Sequence, residues 1–147
     1  MIDVQLVPLT KSNWKAVAKL DLLAEQKEFV PSNLYSIAEA QFYPAAQSRA
    51  IYSDRLLIGY VLYGIEDSSG EWKIFRFMID QAYQGQGYGR SALEAVIKNM
   101  QSTSGIKKIK IAYHSSNKVA ERLYEKAGFV KDCDVDGITT AVYIVAS

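Results

Sequence analysis

The chain changes its hydrophobic period across Gln84-Gly85-Gln86-Gly87-Tyr88-Gly89-Arg90, and this turn constrains the fold more than any other segment. Upstream, Trp72–Ile79 is the strongest strand candidate in the sequence. Downstream, Leu93, Val96, Ile97 and Met100 recur at helical spacing. A strand that passes through glycines into a helix leaves the first helical N–H groups unpaired at the positive end of the dipole, which favours an anion. Glycine there lets the backbone approach a pyrophosphate closely, although such turns also use glycine only for its tolerance of positive φ. The dinucleotide fingerprint needs a glycine three after Gly87, where this chain has Arg90, and the Gly-Lys-Ser/Thr of a P-loop is absent.

The remaining pattern fits around that unit. Ile2–Pro8 reads as a first strand, followed by capping residues at Thr10–Asn13 and a helix with Trp14, Val17, Ala18 and Leu22 on one face. Pro31-Ser32-Asn33 breaks the chain and starts a second short helix carrying Leu34, Ile37 and Ala38. Ala50–Tyr52 and Leu56–Tyr63, joined by Ser53-Asp54-Arg55, form with Trp72–Ile79 an antiparallel meander. Ser104-Gly105 is expected to stop the third helix before a strand over Ile106–Tyr113. Asn117 caps a fourth helix bearing Ala120, Leu123, Tyr124 and Ala127, Gly128 ends it, and Phe129–Asp134 with Ile138–Val145 close as a hairpin. The order β-α-α-β-β-β-α-β-α-β-β predicts one α/β domain over residues 1–147, a central mixed, mostly antiparallel sheet flanked by helices.

Composition narrows the functions. The 147 residues carry 17 Lys+Arg against 16 Asp+Glu, without the basic excess a nucleic-acid binder uses to neutralise phosphates. Apolar runs such as Leu56–Val61 fall short of the roughly 20 residues needed to cross a bilayer, and Asp3 and Gln5 interrupt the start where a signal peptide would be apolar. A cytoplasmic protein with neither nucleic-acid nor membrane partner is expected. The one cysteine and one histidine exclude a disulfide within the chain and a Cys- or His-cluster metal site, and no loop has hard-cation spacing. Cys133, with no His or Lys partner visible in sequence, is expected to be a buried structural thiol rather than a nucleophile.

Gln84, Gly87 and Gly89 match the Gln/Arg-x-x-Gly-x-Gly/Ala turn of the GCN5-related N-acetyltransferase (GNAT) superfamily, and Asn117-x-x-Ala120-x-x-Leu123-Tyr124-x-x-x-Gly128-Phe129 matches its second block. The sequence resembles that family over almost its whole length. Within it, Glu28-Phe29-Val30, Phe42-Tyr43-Pro44 and Arg76-Phe77-Met78-Ile79-Asp80 followed by Tyr83-Gln84-Gly85 look like the bacterial spermine/spermidine acetyltransferases. The resemblance implies a GNAT-type fold, acetyl-CoA as cosubstrate with no metal, a small amine acceptor such as a polyamine, and homodimerisation as a class-level expectation. It also implies that the amides of Gly85, Gln86, Gly87, Tyr88, Gly89 and Arg90 hold the pyrophosphate and that Phe77-Met78-Ile79 pairs with the pantetheine arm. Gln84 and Asn117 complete the cofactor set.

Acetyl transfer to an amine needs a held thioester, a neutral nitrogen, an oxyanion donor and a proton for the leaving thiolate. In the family the helix tyrosine, here Tyr124, lies beside the sulfur and is expected to be the general acid; its spacing alone equally suits a core residue. Candidates for the base are Glu25, Glu28, Asp80 and His114. Glu28 is favoured because it falls in the inter-helix segment that shapes the family's acceptor pocket, where Glu25 is also expected to bind substrate. Asp21, Glu25 and Glu28 recur at helical spacing and would form one acidic face, or an ordinary solvated one. Asp132, Asp134 and Asp136 alternate and would share a strand face. Arg76 is discordant, since the animal polyamine acetyltransferases carry acids in the matching strand. Other amines (aminoglycoside, protein lysine or N-terminus) and a non-catalytic acyl-CoA sensor are the competing readings.

Overall fold

A computed structural model describes residues 2–103 and 105–145. The expected order holds throughout: β1 (Gln5–Pro8), α1 (Trp14–Lys19), α2 (Asn33–Ala40), β2 (Gln47–Ser53), β3 (Leu56–Ile65), β4 (Trp72–Ile79), α3 (Tyr88–Gln101), β5 (Lys108–His114), α4 (Lys118–Ala127), β6 (Val130–Val135) and β7 (Ile138–Ile144). Single 3₁₀ turns at Ala24–Gln26 and Gln81–Tyr83 are the additions. Of the proposed stop for the third helix, Ser104 lies outside the described residues; the helix itself ends at Gln101.

The seven strands form one sheet in the order β1-β2-β3-β4-β5-β7-β6, antiparallel except for the β4–β5 pair. Helix α3 buries Ala92, Leu93, Val96, Ile97 and Met100 against one face, where Ile51, Ile58, Ile74, Ile109 and Ile111 form the larger core. Each such side chain contributes roughly 1.5–3 kcal/mol on burial, so Val96→Asp would break this layer. On the other face Val17, Ala50, Tyr60, Leu62 and Met78 make a smaller core under α1 and α2.

The parallel pair is the weak seam. Only Lys73↔Lys110 and Ile74↔Ile111 are in register before the two strands part. The cause lies on the other side of β4: Leu62 faces Arg76 and Tyr63 faces Ile74, leaving Phe75 as an extra residue. Such a bulge bends its strand. Past it, Phe77–Ile79 stays paired to β3, while its β5 side opens into a cleft.

Three local expectations change. The acidic helix face does not form, because α1 stops at Lys19 and Leu20 turns extended (ψ 144°). The Asp21 N–H donates to Asp80 Oδ1 (2.8 Å) and its carbonyl accepts from the Gln81 N–H (2.8 Å), so a contact with the end of β4 overrides helical spacing. Leu22 therefore lies outside the first helix. The hairpin acids do not share a face either: the register shifts between Lys131 and Cys133, Asp134 accepts from Ser115 Oγ and Thr139 Oγ1, and Asp136 sits in the turn with φ 52°. Cys133 is exposed rather than buried, since β6 is an edge strand exposed along its whole length.

Candidate active site

The cofactor-side groove begins at the glycine turn. Gly87 caps α3 with φ 90° and Gly85 has φ 74°, conformations costly for residues with a Cβ. A Cβ at Gly85 would meet nothing within 4 Å, so the turn stands open. The N–H groups of Tyr88, Gly89 and Arg90 precede the first helical bond, from Ser91 N–H to Gly87 O (3.3 Å), and have no partner among the described residues, which leaves them for an anion. Gln84, Gly85, Gly87, Gly89 and Arg90 line the groove, as do Phe77, Met78 and Ile79 of the parted β4 edge. The fit to a pyrophosphate followed by an extended arm is therefore one of backbone donors, open space and an unpaired strand edge.

Two members of the turn direct their side chains to neighbours within the protein, leaving the expectation for their backbone amides as it stood. The Gln86 side chain is exposed and donates back to Ala82 O (3.1 Å), and Tyr88 packs edge-on against Tyr83. Gln84 lines the groove, but its amide is committed to Ile79 O (2.9 Å) and to a reciprocal pair with Gln26 (2.9 Å each way). It pins the glycine turn to the segment between α1 and α2.

Helix α4 forms the other wall. Asn117 Oδ1 accepts from the Ala120 N–H (3.3 Å), so its N-cap role is real, and its side of the turn lines the groove. Arg122 and Lys126, one turn apart, add positive charge that the sequence reading missed; their i, i+4 spacing was the available signal.

The second cavity lies between the parted ends of β4 and β5, under Phe29, Val30 and Pro31. It shares Val30, Phe77, Asn117 and Tyr124 with the cofactor groove, so Tyr124 stands where the two meet. Tyr124 is 7% exposed, its ring against Tyr113 (5.3 Å between centroids) and Phe129 (6.0 Å). Burial first, then Tyr113, raises its pKa, so the phenol keeps its proton at neutral pH. Tyr113 is likewise pushed up to about 12 by burial and the nearby carboxylates of Glu121, Glu125 and Asp134.

The base candidates are not gathered around that proton donor. Glu25 and Glu28 are exposed and outside the cleft lining, Asp21 pairs with Lys27 (3.0 Å), and Asp80 is engaged with Asp21 and Ala82 N–H groups. His114 does reach the cleft, packed against Phe29 with ring centroids 5.6 Å apart.

A glycine turn for an anion, a split β4 edge and a buried tyrosine between two cavities define the architecture of a CoA-dependent acyltransferase. The model of the acetyltransferase (GNAT) family matches residues 14–129, and the chain belongs to that family of N-acetyltransferases. It is 25% identical over 141 residues to the spermine/spermidine N(1)-acetyltransferase of Bacillus subtilis (strain 168), covering 92% of this chain and 93% of that protein. Among solved structures, the spermidine N-acetyltransferase of Vibrio cholerae with CoA and spermine superposes with a TM-score of 0.75 at 17% identity, over 96% of this chain and 95% of that one. An aminoglycoside acetyltransferase, AAC(6')-Ib with coenzyme A, gives 0.79 at 20%, over 97% and 95%. These two share the fold.

Proposed function

We propose that the protein transfers acetyl directly from acetyl-CoA to a primary amine of spermine or spermidine. The observation that carries direct transfer is the meeting of the two cavities at Tyr124. In this reading the amides of the glycine turn bind the pyrophosphate, Arg122 and Lys126 add charge, and the edge of Phe77–Ile79 that β5 leaves unpaired orients the pantetheine arm, apart from the Ile79 carbonyl that Gln84 takes. A β4 amide near Met78 or Ile79 faces the thioester oxygen, and Tyr124 protonates the departing thiolate.

The polyamine acceptor is supported by the Bacillus relative and by a third cavity that shares Phe75 and Arg76 with the cleft and is bordered by Glu39, Glu66 and Asp67. Glu39 already pairs with Arg76 and Glu66 with Lys73 and Lys110, so among the described residues Asp67 is the carboxylate of this group left for a distal ammonium. Glu25 and Glu28, exposed beside Phe29, attract the polycation at the mouth, and a relay from Glu28 to the nitrogen would run through water. The homodimer and cytoplasmic location belong to the same proposal.

Initial-rate thiol release with spermine, spermidine, aminoglycosides and lysine peptides tests it. Saturable turnover selective for spermine and spermidine is expected. Preference for another amine sinks the polyamine reading and keeps the transferase; CoA binding without turnover on any acceptor favours the sensor.

A further inference from the structure

The cleft proposed to receive the amine lacks, among the described residues, the carboxylates that a cation site would carry. Among the described residues its lining holds one guanidinium, Arg76, one imidazole, His114, and no carboxylate. The bulge at Phe75 places Arg76 there, on the side of the sheet that α2 covers.

The charge of Arg76 is incompletely compensated. Its Nη2 meets Glu39 Oε1 at 3.0 Å in a single contact, Nη1 donates to Phe75 O at 2.9 Å, and Nε is buried with no partner. The groups around it can be named element by element. From α2 comes Glu39, from the turn after it Tyr43, and from β3 the Tyr60 phenol, which burial keeps protonated. From the β3–β4 turn come Glu66 and Asp67, with Glu66 held by Lys73 (2.9 Å) and Lys110 (3.6 Å). From the end of β5 comes His114. Glu39 is the carboxylate in direct contact.

An amine attacks a thioester only as the free base, and a like charge nearby disfavours the ammonium form. We propose that Arg76 lowers the pKa of the acceptor nitrogen inside the cleft, so that the amine is held neutral without a carboxylate base beside it, and that Glu39 tunes this effect by partial neutralisation. One proton leaves the ammonium for solvent before attack. The second N–H proton, released as the C–N bond forms and the C–S bond breaks, balances the one Tyr124 gives the thiolate. The inference rests on the cleft being the acceptor site.

The test is the pH dependence of kcat at saturating acetyl-CoA, which reports groups in the bound complex. Spermine is the acceptor, or the amine that the thiol-release panel selects. The wild-type acid limb is expected below the pKa of the free amine. Arg76→Gln should move it up by about one pH unit, roughly a tenfold loss of kcat on that limb, while Arg76→Lys keeps it near its original position. Glu39→Gln, at a half-exposed helix position, should move it down. Opposite shifts from the two partners are the signature, since a merely structural ion pair would scale the rate without moving the limb. Unmoved limbs, or shifts of one sign, overturn the proposal. So does a limb that vanishes in His114→Asn, because it would then belong to the imidazole. If Arg76→Gln fails to fold, the Glu39→Gln shift decides alone. Ala112→Trp, which fills the cleft, checks the underlying reading: with CoA affinity intact, undiminished amine turnover would show that the acceptor enters elsewhere.

Discussion

The two sides of the site are built differently. In the groove of the glycine turn, residues 77–90 supply the largest share of the lining that comes from one continuous stretch, and they offer backbone groups and a conformation that glycine permits. In the second cavity, the cleft draws on the segment before α2, the bulged centre of β4, the end of β5 and α4, and it presents side chains to any ligand. A backbone site changes little when side chains are exchanged, whereas a side-chain site changes its electrostatics with each one. This suits a common cofactor combined with a variable acceptor.

Substitutions at the junction and on each side break or sharpen this contrast. The largest effect is expected at the junction: Tyr124→Phe should lower turnover by about 10²–10⁴-fold and leave acetyl-CoA affinity nearly unchanged by calorimetry. Undiminished turnover across pH would remove the phenol as the required acid. Next, Gly87→Val combines a β-branched residue at φ 90° with a Cβ placed 3.3 Å from Ile2 Cδ1 and obstruction of the turn. Strain of this kind costs on the order of 1–3 kcal/mol of folding stability, and obstruction of the turn is expected to weaken the acetyl-CoA Kd by roughly 10- to 100-fold. Native affinity would mean that the pyrophosphate binds elsewhere.

Smaller effects separate charge from contact. Glu25→Gln with Glu28→Gln should raise the KM for spermine by roughly a few-fold, an effect that fades as salt screens exposed charges. An equal rise for a monoamine would argue against a polycation role. Least affected near neutral pH is the fold itself. Tyr60, Tyr63, Tyr113 and Tyr124 all have pKa values raised by burial above the unfolded phenol, near 10. Because the protonated form is the one favoured in the folded state, their contribution is complete below pH 10 and is lost as pH rises through the folded values, about 12 for Tyr113. Thermal melts should hold between pH 7 and 9 and fall steeply above 10. A Tm that stays flat to pH 11.5 would contradict the burial of these phenols.

The regularity of α3 and α4 made them readable: their apolar stripes and the caps at Gly87, Asn117 and Gly128 are local signals that the structure keeps. The acidic helix face failed because Asp21 is held by Asp80 and Gln81, 59 and 60 positions away. The alternation of Asp132, Asp134 and Asp136 failed because a register shift at Asp132 broke the pleat. Cys133 was misplaced because burial on a strand depends on whether another layer covers it, and β6 is an edge.

By itself the sequence determined the element order, the anion-ready glycine turn, the place of Tyr124 on its helix and the family motif, all of which rest on spacing over fewer than about two dozen residues or on backbone conformations particular to glycine. Tertiary structure alone decided that β4 and β5 part after Ile74 and Ile111, that Arg76 rather than Glu28 lines the cleft between them, and that Tyr124 stands between two cavities. Those features depend on a single extra residue in one strand and on contacts between segments far apart in the chain, and neither hydrophobic period nor charge pattern encodes where such contacts fall.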